Sequence, residues 1–433
     1  MAAQHGPGHR GRWAMDSFVY STLDARDRAT RQWDPGLAEI RPPGPRLGRA
    51  LHYAARENWR SAQAVLHHAL EDPAERRQAH YLLWEVCQVL GEPEVAVANL
   101  AEALRQQPLT SRYSPQPRRR VLALAAPGDF QANLPLGALL DAVDIELHTL
   151  WLTDVEAVLR DPIAWCGPLP DFDCIFITIA EDVRHRRLLE AADLLAAALG
   201  GPVINRGSRI AALSRLGVAE LLQGLPDAVV PAQRLLARAA LDDAAALAWP
   251  SIIRPEESHA GRGLARLADP AALRSYLAGN ATTHYYLAPF IDYRSADGYW
   301  RKYRIIFVDG RPFPYHMAIH DDWTIWYYNS RMDLDPWKRR EEAAFLADLA
   351  AVFPAPALRA LEAIGARSGL DYVGLDCGLM PDGRLLVFEV ETGMIVHGWD
   401  RPSLYPYKRA SVQAIITAVE AMLDRRVADW PGG

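Results

Sequence analysis

Two glutamates, Glu389 and Glu391, close the apolar run "LLVFEVETGM" at 385–394. In a strand, side chains at i and i+2 point to one face. This spacing therefore holds two carboxylates side by side, where like charges repel. Upstream, "DYVGLDCGLM" carries Asp376, and a Pro-Asp-Gly turn joins the two stretches. A hairpin of that kind sets Asp376 opposite Glu389, with Glu391 beyond. Three carboxylates on one sheet face call for a cation. Hard oxygen donors suit Mg²⁺, which takes a few carboxylates together with phosphate oxygens and water. The plainer alternative is an acidic, solvated hairpin edge.

A basic counterpart lies earlier, in "WPSIIRPEESHAGRGL" at 249–264. A β-branched strand ends at Arg254-Pro255. Ser258, His259, Ala260, Gly261, Arg262 and Gly263 follow, and the small residues among them permit positive φ and close backbone approach. Successive N–H groups in such a loop bind anions. Arg254 adds a fixed charge and a fork of donors. An ordinary turn with exposed charges would read the same way in isolation.

"HYYLAPFIDY" at 284–293 is an aromatic strand whose Pro289 cannot donate to a central ladder. Its break leaves backbone groups for a flat ring. "GYWRKYRIIFVDGRPFPYHMAI" then predicts two strands around an Asp309-Gly310 hairpin turn. Arg301, Lys302 and Arg304 lie just before or inside the first of them. Trp300, Trp323, Trp326, Tyr327 and Tyr328 line a substrate pocket or belong to a core or dimer contact. His259 and His397 read first as hydrogen-bonded structural histidines, with substrate contact as the alternative.

These elements need a chain that can position them. The 433 residues exceed one ordinary domain, half of them are hydrophobic and 23% are charged, which describes a globular protein. A net charge of -6 offers no polybasic signature for nucleic acid. No apolar run is long enough to span a membrane, and no secretory core opens the chain. The cysteines Cys87, Cys166, Cys174 and Cys377 lack metal spacing, and reduced thiols in a cytoplasm are the simplest reading.

The expected organisation is multidomain, mixing α/β and α+β parts. Residues 1–46 form an extended, partly disordered segment ending in "RPPGPRLG", with Met15 as an alternative start. In 47–111, Ala62, Leu66, Ala69 and Leu70 recur as Ala96, Leu100, Ala103 and Leu104, a shift of 96 − 62 = 34 residues. That is the period of the tetratricopeptide repeat, a pair of packed helices. Two units are too few to stand alone, so they must cap against the rest of the chain. They serve as a packing module or, alternatively, as a docking surface for a peptide or protein. Residues 118–228 alternate strands and helices, as in a small parallel α/β domain. No GxGxxG or Walker A motif follows any of its strands. Residues 229–433 carry the chemistry.

Taken in order, these motifs resemble the ATP-grasp superfamily over roughly 120–433, and its glutathione-synthetase-like branch above all. "IIRPEESHAGRGL" is similar to that family's nucleotide clamp, with Arg254 where lysine is usual. "GLDCGLMPDGRLLVFEVETGM" is similar to its metal hairpin, the spacing of 389 − 376 = 13 residues resembling D-alanine–D-alanine ligases. Glu391 stands at the usual asparagine, and Arg215 at a second phosphate-contacting lysine. The resemblance implies an adenine hinge at Leu287, Ala288, Pro289 and Phe290, with Asp292 nearby. It implies that Arg304 contacts phosphate or a substrate carboxylate, and that Asp376, Glu389 and Glu391 hold Mg²⁺. The implied fold is a C-terminal ATP-grasp domain of two α+β lobes behind a pre-grasp domain and tetratricopeptide-like helices. The implied activity is ATP- and Mg²⁺-dependent ligation of a carboxylate to an amine through an acylphosphate. Its substrates would be an amino acid or peptide, with a homodimer as a common assembly among such ligases. The chain also resembles bacterial proteins that join such repeats to a grasp domain, a likeness that names no substrate. The rival reading is a non-catalytic nucleotide-binding scaffold that engages a protein partner.

Overall fold

The computed structural model describes residues 44–431 except 57, 115, 141–142, 242–246, 257, 259–260, 328 and 399. The expectations placed on 1–43, His259, Ala260 and Tyr328 lie outside the described residues. The chain divides into two compact units, 1–211 with 392–433, and 212–391. Among the described residues no helix is long and apolar enough to cross a membrane.

Among the described residues the first unit begins with four helices: α1 (Pro45–Ala54), α2 (Trp59–Ala69), α3 (Arg76–Val89) and α4 (Pro93–Leu104). The end of "RPPGPRLG" is thus helical rather than extended. Pro45 occupies the first helical turn, where its missing N–H costs nothing and its fixed φ suits the helix. The Asn58 side chain accepts from Ser61 N and caps α2. Ala62, Leu66 and Ala69 are buried on α2, as are Ala96, Leu100, Ala103 and Leu104 on α4. These repeated positions form the helix–helix seam.

The helices do not close on themselves. Their core continues into Ala125 and Trp151 of the following sheet. Trp84 on α3 lies edge-on to Phe130 and Trp151, with centroids 5.4 and 5.6 Å away. Its indole N–H donates to Gly128 O at 2.8 Å, and Gln88 Oε1 accepts from Phe130 N at 2.6 Å. Arg77 donates to the carbonyls of Ala103, Gln107 and Leu109, tying the helices to the first strand.

That sheet has the order β1-β3-β2-β4-β5, with β1 (Leu109–Arg112), β2 (Arg119–Ala125), β3 (Ile145–Trp151), β4 (Cys174–Ile177) and β5 (Val203–Ile204). β1 runs antiparallel at the edge and the other strands are parallel. β2 and β4 are buried along nearly their whole length, as strands covered on both faces must be. Helix α5 (Arg186–Leu199) buries Leu189, Ala191, Ala192, Leu195 and Ala196. The C-terminal helix Lys408–Ala428 also belongs to this unit, where Asp424 bridges Arg118 and Arg119. This differs from the expected 229–433 domain, because the helix carries no turn or motif that points to one unit over the other.

The second unit contains helix α6 (Arg215–Leu221) and two sheets. The four-stranded one has the order β7-β10-β8-β9, from β7 (Arg234–Ala237), β8 (Ser251–Pro255), β9 (Ala265–Leu267) and β10 (His284–Pro289). Ile253, Leu267, Leu273, Leu277, Tyr285 and Leu287 form the core of its inner face. β10 is an interior strand, although Pro289 reads against that place. Pro289 is its last residue, paired with Ser251, so the missing N–H falls where the ladder ends.

The five-stranded sheet has the order β12-β11-β13-β14-β6, from β6 (Ala228–Val229), β11 (Trp300–Val308), β12 (Arg311–His320), β13 (Tyr372–Leu379) and β14 (Leu385–Glu391). Val308 pairs with Arg311, leaving Asp309 (φ 49°) and Gly310 (φ 73°) as a two-residue turn. Positive φ at both positions gives the hairpin turn that fits strand twist.

Candidate functional site

The five-stranded sheet carries a row of polar residues across four adjacent strands. Register pairs His316 with Arg304, Arg304 with Asp376, and Asp376 with Glu389. Paired residues share a face, so the row runs from β12 to β14 on one side. Lys302 and Glu391 join it by their i, i+2 spacing from Arg304 and Glu389. Register shifts fall between Arg304 and Ile305 and between Asp376 and Cys377, leaving Tyr315 and Phe388 as the extra residues. Such bulges twist a strand and re-aim its side chains.

Asp376 is the centre of this row and is 1% exposed. Arg304 Nε donates to Oδ1 at 2.7 Å and Nη2 to Oδ2 at 2.9 Å. Lys302 Nζ lies 2.6 Å from Oδ2. Burial alone would push the Asp376 carboxyl up; Arg304 and Lys302 outweigh it and hold the group well below the carboxylate range. Burial likewise works against the Arg304 guanidinium, and Asp376 reverses that effect. Glu389 turns the other way, accepting from Arg215 Nη2 at 3.3 Å. Its side chain is 37% exposed, so this pair is screened by solvent. Glu391 is half-buried on the same face.

The four-stranded sheet supplies the second wall. Arg254 pairs with Tyr286 across β8 and β10. Both lie on the face opposite Ile253 and Leu287, which point into the core. Arg215, at the first turn of α6, lies 5.9 Å from the Tyr286 ring centroid. Arg215 thus joins the two sheets, touching Glu389 on one and facing Tyr286 on the other. The Arg254 guanidinium is pushed down to about 10, by burial first and then by the neighbouring Arg215 charge. Two crowded guanidiniums sharing one exposed carboxylate form a site that favours an added anion.

Arg254 also shapes the loop after its strand. Its Nε donates to Ser258 Oγ at 3.1 Å, and Nη2 donates to the Ser258 carbonyl. Ser258 Oγ in turn donates to Pro255 O at 2.6 Å. Gly261 and Gly263 adopt φ of 70° and 68°. A Cβ on Gly263 would sit 2.6 Å from Pro255 Cδ, so a side chain there would open the turn. The Trp326 ring covers Gly261.

The expected hinge is divided. The Leu287 side chain is buried in the core, and its backbone lies in the ladder between Arg234 and Ile253. Ala288 shares the face of Tyr286, Pro289 is exposed, and Phe290 lies under Arg266 at 4.0 Å and edge-on to Trp323 at 5.6 Å. Asp292 is exposed and accepts from Arg294. The structure therefore brings together Arg215, Arg254, Ser258, Arg304, Asp376, Glu389 and Glu391, while Asp292 is engaged by a neighbouring arginine. Sequence reasoning names Lys302 without a role and passes over Tyr286. Their signal was strand alternation, because Lys302 must share a face with Arg304, and Tyr286 with Ala288.

The carboxylates expected to hold magnesium are engaged by basic side chains in this structure. The three carboxylates do share a face, but Asp376 already has both oxygens taken by Arg304 and Lys302, and Glu389 is drawn to Arg215. Among the described residues no group of three or more His, Cys, Asp or Glu side chains is disposed to hold a metal ion. Mg²⁺ requires nearly octahedral oxygen donors at short range, and here its first donor lies between two full positive charges. As placed, Asp376, Glu389 and Glu391 do not fit a resident magnesium ion.

The sequence matches no protein-family model and no curated protein. Among solved structures the chain is similar to D-alanine–D-alanine ligase from Bacillus anthracis complexed with ATP, at 13% identity and TM-score 0.42, covering 72% of this chain and 97% of that one. It is similar to a RimK domain ATP-grasp protein from Sphaerobacter thermophilus, at 19% identity and TM-score 0.40, covering 69% and 98%. A third likeness is to VanG D-Ala:D-Ser ligase from Enterococcus faecalis, at 13% identity and TM-score 0.44, covering 71% and 100%. At identities and TM-scores this low, the likeness decides neither family nor activity.

Proposed function

We propose that 212–391 binds the polyphosphate of ATP between its two sheets, and that the protein is an ATP-grasp ligase joining a carboxylate to an amine. One observation carries the reading: Arg215 reaches Glu389 on one sheet and faces Tyr286, beside Arg254, on the other. Lys302 and Arg304 extend the positive charge along the five-stranded face. Four cations against the three carboxylates of Asp376, Glu389 and Glu391 leave a net charge of +1 (4 − 3), which favours an added anion. Ser258, His259, Ala260, Gly261 and Gly263 are the backbone donors proposed for its phosphates. Ala288, Pro289 and Phe290, beside Leu287, are proposed for the flat ring.

In the proposed reaction a carboxylate oxygen of the substrate attacks the γ-phosphorus. The bond from γ-phosphorus to its bridging oxygen breaks, and ADP leaves with that electron pair. The amine nitrogen then attacks the acyl carbon, releases a proton, and phosphate departs. Arg254 fixes the loop over the phosphates. Arg215 and Arg304 place charge where the transferring group becomes more negative, which lowers the barrier most in a water-poor cleft.

The helices 45–104 are proposed as two tetratricopeptide-type units with a packing role. The α3 face is filled by Trp84, Phe130 and Trp151, which favours a small acid and amine over a protein docked on that face. The test is to incubate the full chain with ATP and pools of amino acids and peptides, following ADP and phosphate. Pool-dependent ADP release supports the ligase; ATP binding without turnover in every pool supports the scaffold. Arg215→Ala should weaken ATP binding by about tenfold, a loss of roughly 1.4 kcal/mol, read by calorimetric titration.

A further inference from the structure

Lys302 stands where the family resemblance puts a metal ion. Its ammonium lies 2.6 Å from Asp376 Oδ2, on a carboxylate that also takes two bonds from Arg304. Register and alternation make this contact a consequence of the sheet. Arg304 is the direct cross-strand partner of Asp376, and Lys302 is two residues earlier on the same face. A divalent ion on either Asp376 oxygen would face both positive side chains across a buried site. Glu389, the cross-strand partner that would share such an ion, is turned to Arg215. No described set of three or more metal-type side chains replaces it.

We propose that Lys302 is the resident cation of Asp376, and that Lys302, Arg304, Arg215 and Arg254 neutralise a bound nucleotide's phosphates without a divalent ion held beforehand by Asp376, Glu389 and Glu391; this rests on the nucleotide reading above. Lys302 then has two roles. It keeps Asp376 ionised and occupied, and it presents positive charge on the face that also carries Arg304. An ammonium is a compact point charge with three donors, so it can satisfy one carboxylate oxygen and still turn a donor toward phosphate.

The test is calorimetric titration of ATP into the full chain, once in excess EDTA and once in millimolar magnesium. Manganese alone, followed by its electron paramagnetic resonance signal, serves as the metal probe. ATP affinity in EDTA should lie within about threefold of that in magnesium, and manganese alone should not bind. Lys302→Met should weaken ATP binding in EDTA by about tenfold or more and make it depend on magnesium, while Lys302→Arg should keep the EDTA affinity. Lys302→Arg also guards against a folding defect, because it preserves the charge on Asp376. Tight manganese binding to the wild type, ATP binding only in magnesium, or a Lys302→Met variant unchanged in EDTA would each overturn the proposal. In those cases the nucleotide reading survives. Absence of ATP binding in both buffers would remove that reading and this inference together.

Discussion

Asp376 is buried and Glu85 half-buried, and the two regions treat these acids in opposite ways. In the five-stranded sheet, Asp376 is held ionised by Arg304 and Lys302. In α3, Glu85 Oε2 is buried with no hydrogen-bond partner among the described residues. Burial pushes the Glu85 carboxyl up to about 8. The sheet gathers charge and provides counter-charges for it. The helical region packs rings and small residues around Glu85 and gives its Oε2 no counter-charge.

The largest expected effect breaks the packing of the helical region. Trp84 is buried, touches Tyr81, Phe130 and Trp151, and donates to Gly128. Trp84→Ala should cost about 4 kcal/mol of unfolding free energy in a urea titration, since it leaves a large cavity and an orphaned carbonyl. A loss below about 1 kcal/mol would mean that the helices do not depend on the sheet beneath them.

The next effect acts on the charged region. Asp376→Asn leaves Arg304 and Lys302 together without their counter-charge, which should cost about 3 kcal/mol at neutral pH. The folded pKa of Asp376 is depressed, so its stabilising contribution is present above the unfolded value and lost as pH falls through the folded one. The stability gap between wild type and variant should therefore persist through neutral and mildly acid pH. It should close only in strong acid, below roughly pH 4. A gap that closes near neutrality would contradict the ion pairs.

Local chemistry made much of the sheet legible. Asp309-Gly310 announced its hairpin, and strand alternation with a Pro-Asp-Gly turn placed Asp376 opposite Glu389. The same alternation put Arg304 on a face but not beside Asp376, because pairing between β11 and β13 joins residues 72 apart. Lys302 was hidden for the same reason: nothing within its own strand shows which acid it meets. Pro314 stands beside the bulge at Tyr315 and was a usable signal for it, whereas the bulge at Phe388 has no glycine or proline beside it. In the first unit, the alanine and leucine spacing gave the helices and their buried seam. Which surface those helices would cover stayed unreadable, because Trp84 meets Phe130 and Trp151 only after the chain has folded. The assignment of 408–428 to the first unit depends in the same way on Asp424 meeting Arg118 and Arg119.

Glu85 sharpens the contrast through its proton. Its folded pKa of about 8 lies above the ordinary 4.5. Between those values the folded state holds a proton that the unfolded state has lost. Stability must then fall as pH rises through this window, and level off above it. The slope from one such group is about 1.4 kcal/mol per pH unit at most. Glu85→Gln removes the titration while keeping the shape of the side chain. In urea titrations from pH 5 to pH 8, the wild type should lose stability relative to Glu85→Gln, and the difference should favour the variant increasingly toward pH 8. Water reaching the carboxylate would bring its pKa back toward 4.5 and flatten that difference. A flat difference would mean that α3 faces solvent at this point, and that a charged partner could dock there. A rising one would mean that the folded chain holds the Glu85 carboxyl out of water.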